Sequence, residues 1–263
     1  MRRREFIALL SGPAIAWPLS VVAQSPDRKR KIGVLWGLTA TDPEWSQRFG
    51  AFSQALQELG WAEGRNVGFE IRHAVGKRDE LPALAADLVA AKVDVIVVNT
   101  AGLANLAHGV TTTIPIVVVS AGDLEGTGLV TSLAKPGGNI TGLQILSPTL
   151  MSKRLDLLKE LVPELTRLGV ILPITPAAII TPRYLEEIEQ AGHALGIQAH
   201  RIEVRSPEEF APSFAAMARA GDHAAIVIAN PLSVAHRKDV VASAAGSKLP
   251  TIYESRSFVT GGG

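Results

Sequence analysis

The sequence predicts an α/β fold made of two lobes, each built on a parallel β-sheet. Six short runs have the character of buried strands, and most of them are continuously apolar and β-branched, as expected of parallel strands covered on both faces. They are Lys31–Trp36, Val93–Asn99, Ile114–Ser120, Leu168–Leu172, Ala224–Asn230 and Leu249–Glu254. Val67–Arg72 and Gln198–Val204 alternate more between apolar and polar side chains, which indicates outer strands. Helical segments between the strands complete the alternation that is typical of parallel sheets.

The clearest helix is predicted over Asp42–Leu59. Asp42 is a good N-cap, Pro43 suits the first helical position, and Gly60 follows as a stop signal. Apolar side chains at helical spacing indicate a face that packs on the core rather than an aromatic ligand site: Trp45, Phe49, Phe52, Leu56 and Leu59. A capping residue followed by proline predicts further helix starts at Ser147-Pro148, Thr181-Pro182 and Ser206-Pro207.

A glycine-rich stretch interrupts the strand–helix alternation between Ala121 and Gly142. It holds six glycines in 22 residues. Because strand–helix units stand on both sides of it, we expect two lobes that join near residues 140–148. The predicted N-terminal lobe covers residues 31–146, and the C-terminal lobe covers residues 147–256.

The first 23 residues have the features of an export signal. Arg2–Arg4 form a basic start, an uncharged apolar run follows over Phe6–Val22, and small residues surround Ala23. The paired arginines also fit the twin-arginine export route. The run is short for a membrane anchor and contains two prolines, so we expect a cleaved signal and a periplasmic protein.

Composition and missing motifs exclude several classes of function. The chain has no cysteine, which excludes disulfides, cysteine metal sites and thiol catalysis. Residues 1–23 carry three arginines and one glutamate, and without them the net charge is −1, with no basic stripe for nucleic acid. Phosphate-loop, HExxH and GxGxxG motifs are absent, and the histidines lack metal-ligand spacing. We therefore expect no cofactor, no metal and no nucleic-acid partner.

Small polar residues follow the predicted strands, and in open α/β sheets ligands bind beyond the carboxyl ends of the strands. Hydroxyls, amides and backbone N–H groups there suit a small polar molecule, and helix N-termini favour a carboxylate. Singly these residues could only cap helices, but together they predict a ligand site. The expected site residues are Gly37, Thr39, Asn99, Thr100, Ala101, Ser120, Gly122, Asp123, Thr175, Pro231, Tyr253 and Glu254.

Asp123 has three interpretations: a catalytic base, the partner of a ligand amine, or a turn residue. No second titratable group is obviously placed beside it, which argues against a base. The other two interpretations stay open.

Two segments resemble a family of ABC transporter substrate-binding proteins that includes tryptophan/tyrosine-type binding lipoproteins. GDLEGTGLVTSLAKPGGNITGL (Gly122–Leu143) resembles the family stretch G-D-P-V-x-x-G-L-V-x-S-L-A-R-P-G-G-N-x-T-G. LPTIYESRSFVTGGG (Leu249–Gly263) is similar to the segment P-x-I-Y-E-S-R-x-F-V-x-x-G-G, and RRREFIALLSG is similar to the usual export signal. The resemblance covers essentially the whole mature chain.

The resemblance implies two Rossmann-like lobes around a hinge, as in type I periplasmic binding proteins, with the ligand enclosed between them and no catalysis. It places Ser120 to Asp123 in the cleft and lets Gly126 to Gly142 lead across to the second lobe, where glycines permit hinge closure. The small-polar loop starting at Asn99 and the pair Tyr253-Glu254 match the family pattern.

The chain departs from the family in two places. Leu124-Glu125 replaces the common Pro-Val, which alters the rim of the cleft. Family members also continue well past the final glycine run, so we expect residues 257–263 to begin a return segment that is truncated here.

These observations favour a monomeric solute-binding component of an ABC importer that delivers a small amino-acid-like ligand to an inner-membrane permease. The ligand carboxylate would meet strand-end hydroxyls and helix N-termini, and its amine would meet Asp123 or Glu254. An exported module that presents its ligand to a membrane receptor, or an exported α/β enzyme, are the alternatives.

Overall fold

The computed structural model describes residues 29–75, 80–145 and 150–263. The export signal and the helix start at Ser147-Pro148 lie outside the described residues. Two sheets, parallel throughout, organise the rest. The first has five strands in the order 67–73, 30–36, 95–98, 116–121 and 140–144, and the second has four in the order 198–204, 167–173, 224–227 and 251–253. The prediction of two parallel-sheet α/β lobes is therefore confirmed, and the two predicted outer strands are edge strands.

The first lobe contains β1 (Arg30–Trp36), α1 (Pro43–Glu58), β2 (Val67–His73), α2 (Leu81–Ala90), β3 (Val95–Val98), α3 (Ala101–His108), β4 (Ile116–Ala121) and β5 (Ile140–Gln144). The second contains α4 (Met151–Leu161), β6 (Arg167–Pro173), α5 (Pro182–Ala194), β7 (Gln198–Val204), α6 (Phe210–Arg219), β8 (Ala224–Val227), α7 (Pro231–Ala235), α8 (Arg237–Gly246), β9 (Thr251–Tyr253) and α9 (Arg256–Thr260). No helix of the described segments has the length and apolarity that crossing a bilayer requires.

Helix starts follow the capping rules that the sequence indicated. The Asp42 carboxylate accepts a hydrogen bond from the Glu44 N–H at 2.8 Å and begins α1, and the Thr181 hydroxyl begins α5 in the same way. Ser206-Pro207 begins only a short 3-10 turn before α6. Trp45 is buried against the core as predicted, but the assignment of Leu59 to that face is wrong. Leu59 follows the last turn of α1 and is 76% exposed.

Alternating side chains bury both faces of the second sheet. Val170 packs in a cluster with Leu155 of α4, whereas its neighbour Ile171 packs in a cluster with Phe214 of α6. Phe258 of α9 is fully buried in the latter cluster. Phe258 belongs to residues 257–263, which we expected to begin a return segment, and it packs on this lobe.

The glycine-rich stretch does not cross to the second lobe, and that prediction is wrong. After several turns the chain returns as β5, which pairs with β4 at the edge of the first sheet. Gly142 permits this pairing because a Cβ at that position would overlap the carbonyl oxygen of Val118. The chain passes to the second lobe only after Gln144.

Two glycines of the first lobe lie directly against the second lobe. A Cβ on Gly102 at the start of α3 would lie 2.6 Å from the carbonyl oxygen of Ala177, and a Cβ on Gly37 would lie 2.7 Å from the Pro231 ring. Ala177 also accepts a hydrogen bond from the Thr100 hydroxyl. These contacts bring the strand ends of the two sheets face to face.

Two polar contacts reinforce this approach. The buried Thr181 hydroxyl donates to Asp123 Oδ2 at 3.0 Å. Arg237 of α8 donates to Asp42 Oδ2 at 3.0 Å, and both side chains are largely buried. Asp42 thus caps α1 with one oxygen and pairs with the other lobe through its carboxylate.

We predict that Gly102→Ala lowers the free energy of unfolding by about 1–3 kcal/mol, because its new methyl group overpacks the contact with Ala177. Gly109→Ala is the matched control, since Gly109 ends the same helix with an ordinary φ of −62° and should be neutral or slightly stabilising. Urea unfolding measures both. Equal midpoints for the two variants would show that the lobes do not meet at Gly102.

We predict that Arg237→Met lowers the free energy of unfolding by about 2 kcal/mol, because it leaves the Asp42 carboxylate buried without its charged donor. Asn at position 42 retains an oxygen for the helix cap. The double variant Asp42→Asn/Arg237→Met should therefore be less destabilised than the sum of its single variants. Strict additivity in a double-mutant cycle would contradict a direct interaction.

Candidate ligand-binding cleft

A cavity of about 510 Å³ lies between the carboxyl ends of the two sheets. Its position follows from topology, because strand order reverses between β1 and β3 in one sheet and between β6 and β8 in the other. Such reversals open a crevice at the carboxyl ends of the strands. Here the two crevices face each other, and the contacts between the lobes close the space around them.

An asparagine bridges the crevice in each lobe. Asn99 follows β3, and its Oδ1 accepts a hydrogen bond from the Gly37 N–H, beyond the end of β1, at 3.0 Å. Asn230 follows β8, and its Nδ2 donates to the Pro173 carbonyl at the end of β6 at 2.6 Å. Both asparagines line the cavity, so each lobe contributes an asparagine to the wall from an equivalent position in its sheet.

The wall from the first lobe combines small polar and apolar groups. Thr100 and Ala101 follow β3, Ser120 lies near the end of β4, and Gly122 follows β4. Thr100 also caps α3 by accepting from the Leu103 N–H at 3.2 Å. The Ser120 hydroxyl is half-buried and makes no hydrogen bond to a described residue.

The same wall carries Trp36, Glu44 and Arg48. Glu44 and Arg48 form an ion pair one turn apart on α1. Trp36 is 6% exposed, and its ring packs edge-on against Trp45 with centroids 5.4 Å apart. The indole nitrogen of Trp36 is buried and has no hydrogen-bond partner among the described residues.

The wall from the second lobe is organised around Glu254. Its Oε1 pairs with Arg154 Nη1 at 2.9 Å and accepts a hydrogen bond from the Tyr184 hydroxyl, while Oε2 accepts from the Ala229 N–H at 3.0 Å. Both charged side chains are more than four-fifths buried. The carboxylate is therefore neutralised within the protein.

Apolar side chains cover the remaining wall on both sides: Leu38, Ile145, Leu150, Ile179, Ile180, Ile228 and Val234. The cavity can thus hold a small molecule with an apolar body and polar groups at its ends. The described residues contain no group of three or more carboxylate or histidine side chains that could hold a metal ion.

Seven of the twelve predicted site residues lie on the cavity wall: Asn99, Thr100, Ala101, Ser120, Gly122, Pro231 and Glu254. The other five do not line it in this structure. Gly37 lies behind the wall against Pro231, and Thr39 is exposed and hydrogen-bonded to Thr41. Thr175 borders a separate depression beside α3.

Asp123 and Tyr253 have structural contacts instead. The Asp123 carboxylate accepts from the Gly126 N–H and from the Thr181 hydroxyl, so it is a buried turn residue that also links the lobes. The Tyr253 ring stacks on Phe258 with centroids 4.9 Å apart. Burial raises the pKa of the Tyr253 hydroxyl, because ionisation in an apolar environment is unfavourable.

Four further wall residues are not among the expected site residues: Trp36, Glu44, Arg154 and Tyr184. Trp36 ends a predicted strand, at the sheet edge where ligand contacts are expected. Glu44, Arg154 and Tyr184 belong to helices, where their spacing is consistent with an ordinary exposed or core face. No local signal distinguishes them.

Comparison with known proteins agrees with this geometry. The ABC transporter substrate binding protein family matches residues 39–263. A tyrosine-binding protein of Clostridioides difficile (strain R20291) is 30% identical over 146 residues, which are 55% of this chain and 41% of that protein. The match therefore spans about two fifths of this relative.

Solved structures share the fold. An ABC domain in complex with L-Trp from Streptococcus pneumonia superposes with a TM-score of 0.78 and 23% identity, covering 89% of this chain and 77% of that one. A solute binding protein of an ABC transporter from R. palustris in complex with benzoate superposes with a TM-score of 0.62 and 16% identity, covering 86% and 62%.

The matched family consists of solute-binding proteins and not of enzymes, in keeping with a cavity built from paired charges, hydroxyls and apolar side chains. The matched residues include the second sheet, the four strands of the first sheet that follow β1, and every described wall residue except Trp36 and Leu38. The chain belongs to the ABC transporter substrate-binding protein family.

Proposed function

We propose that this protein is the solute-binding component of an ABC importer and that it encloses a small amino-acid-like ligand between its lobes. The observation that carries the proposal is the cavity at the facing strand ends. Its volume of about 510 Å³ lies within the range of small-molecule sites. The names of the C. difficile and S. pneumonia proteins support an amino acid as the ligand.

The ligand carboxylate is best accommodated at the start of α3. The first N–H groups of a helix lack partners within the helix and favour an anion. Thr100 and Ala101 of this helix start line the cavity, and the first turn of α3 carries no acidic residue. The apolar side chains of both walls would surround the body of the ligand.

Delivery to an inner-membrane permease, a periplasmic location and export by residues 1–23 through the twin-arginine route belong to the same proposal. We also propose a monomer that has lobes at residues 31–146 and 147–256 and binds no nucleic acid. A permease and an ATPase encoded beside this protein would favour import. A receptor kinase encoded there would favour the alternative role in sensing.

Thermal unfolding of the purified full chain with a panel of amino acids and aromatic carboxylic acids tests the proposed ligand class. A ligand at about 100 times its Kd adds about 2.7 kcal/mol to stability, so a true ligand raises the Tm clearly. We expect one class of apolar amino acid to do so. A cooperative transition that no compound of the panel shifts would count against the proposal, and turnover of a bound compound would favour an enzyme.

We predict that Ser120→Ala weakens ligand binding about tenfold while the unfolding midpoint stays unchanged, because its hydroxyl has no partner in the described protein and is available to a ligand. Thr100→Ala should lower both the ligand affinity and the unfolding midpoint, since the Thr100 hydroxyl caps α3 and contacts Ala177. Titration calorimetry and urea unfolding separate the two effects. Unchanged affinity in Ser120→Ala would remove this residue from the binding site.

A further inference from the structure

We infer that Glu44 accepts the ammonium group of the ligand, so that the site selects α-amino acids over carboxylic acids that lack an amine. This inference rests on the proposed function, and it specifies how the cavity recognises its ligand. It replaces Asp123 and Glu254 as the expected partners of the amine.

Glu44 has an incomplete set of hydrogen bonds. Its side chain lines the cavity and is 11% exposed. One carboxylate oxygen, Oε1, pairs with Arg48, whereas Oε2 is shielded from solvent and has no hydrogen-bond partner among the described residues. Burying a carboxylate oxygen without a hydrogen-bond donor costs free energy. A ligand that supplies the donor would remove this cost, and the new hydrogen bond would therefore contribute to the binding free energy.

The two acids that the sequence suggested are already occupied. Both oxygens of Glu254 accept hydrogen bonds, from Arg154 and Tyr184 on one side and from the Ala229 N–H on the other. Both oxygens of Asp123 also accept hydrogen bonds, and this residue does not line the cavity. An amine directed to either acid would have to displace contacts that the protein makes itself.

The charge balance of the cavity favours a zwitterion. Its described charged wall residues form two pairs, Glu44 with Arg48 and Glu254 with Arg154, and each pair is neutral. A zwitterionic ligand adds no net charge, whereas a carboxylate alone adds a buried negative charge without a counter-charge. The start of α1 would not favour that anion, because it already carries the carboxylates of Asp42 and Glu44.

The unpartnered groups of the first lobe include a donor as well as an acceptor. The buried Trp36 Nε1–H lacks a partner among the described residues, as does Glu44 Oε2. The terminal torsion of a glutamate is soft, so its carboxylate can turn toward a donor in the cavity at small cost. An α-amino acid offers both an ammonium donor and carboxylate acceptors, and a simple acid offers acceptors alone.

Matched ligand pairs test the inference on the purified full chain. L-Phenylalanine is compared with hydrocinnamate, and L-leucine with isocaproate, by titration calorimetry. Each pair differs only in the amine. We expect the wild-type protein to prefer the amino acid by about tenfold to a hundredfold, as for hydrogen bonds to charged groups. Glu44→Gln should reduce this preference to a few-fold, and Glu44→Asp should retain more of it.

Glu58→Gln, on the exposed end of the same helix, is the matched control and should keep the full preference. Because the preference is a ratio within one variant, a general loss of stability does not imitate the effect. Equal affinity for both members of a pair in the wild type, or an unchanged ratio in Glu44→Gln, overturns the inference and leaves solute binding intact. If no compound of either pair and no other amino acid binds, the proposed function fails together with it.

Discussion

The close contact between the lobes at two glycines is the constraint on which the cavity depends. The backbone of Gly102 meets the backbone of Ala177, and the backbone of Gly37 meets the Pro231 ring, so that neither glycine has room for a Cβ. This approach brings the crevices at the carboxyl ends of the two sheets against each other and joins them into one cavity. It also explains the position of Thr100, Asp123 and Thr181, whose polar groups join the lobes beside that space.

Each wall is a version of the same construction. In each lobe an asparagine that follows one central strand, β3 or β8, forms a hydrogen bond with the end of the neighbouring strand, β1 or β6. In each lobe an acid that lines the cavity also forms an ion pair with an arginine. The two walls differ in how completely the acid is satisfied. Both oxygens of Glu254 accept hydrogen bonds, whereas Glu44 Oε2 has no donor among the described residues. The carboxylate oxygen that remains available to a ligand therefore belongs to the first lobe.

The sequence predicted the parts of this arrangement that depend on local pattern. Six apolar runs and two alternating segments indicated eight of the nine described strands, and capping residues indicated the helix starts at Asp42 and Thr181. It missed β5, because Ile140–Gln144 contains an internal glycine and alternates weakly beside a glycine-rich stretch. Strand ends located Asn99, Thr100 and Ser120 correctly at the cavity. Arg154 and Tyr184 reach it from helices of the second lobe, and only tertiary packing determines which helix faces point there.

The ion pair of Asp42 with Arg237 joins residues that are 195 positions apart in the chain. Closing so long a loop in an unfolded chain carries a large entropic cost, whereas βα units within each sheet close over short distances. We therefore expect the pair to form late in folding, after each lobe has ordered its own chain, and to act on the docking of the two lobes rather than on the nucleation of either one.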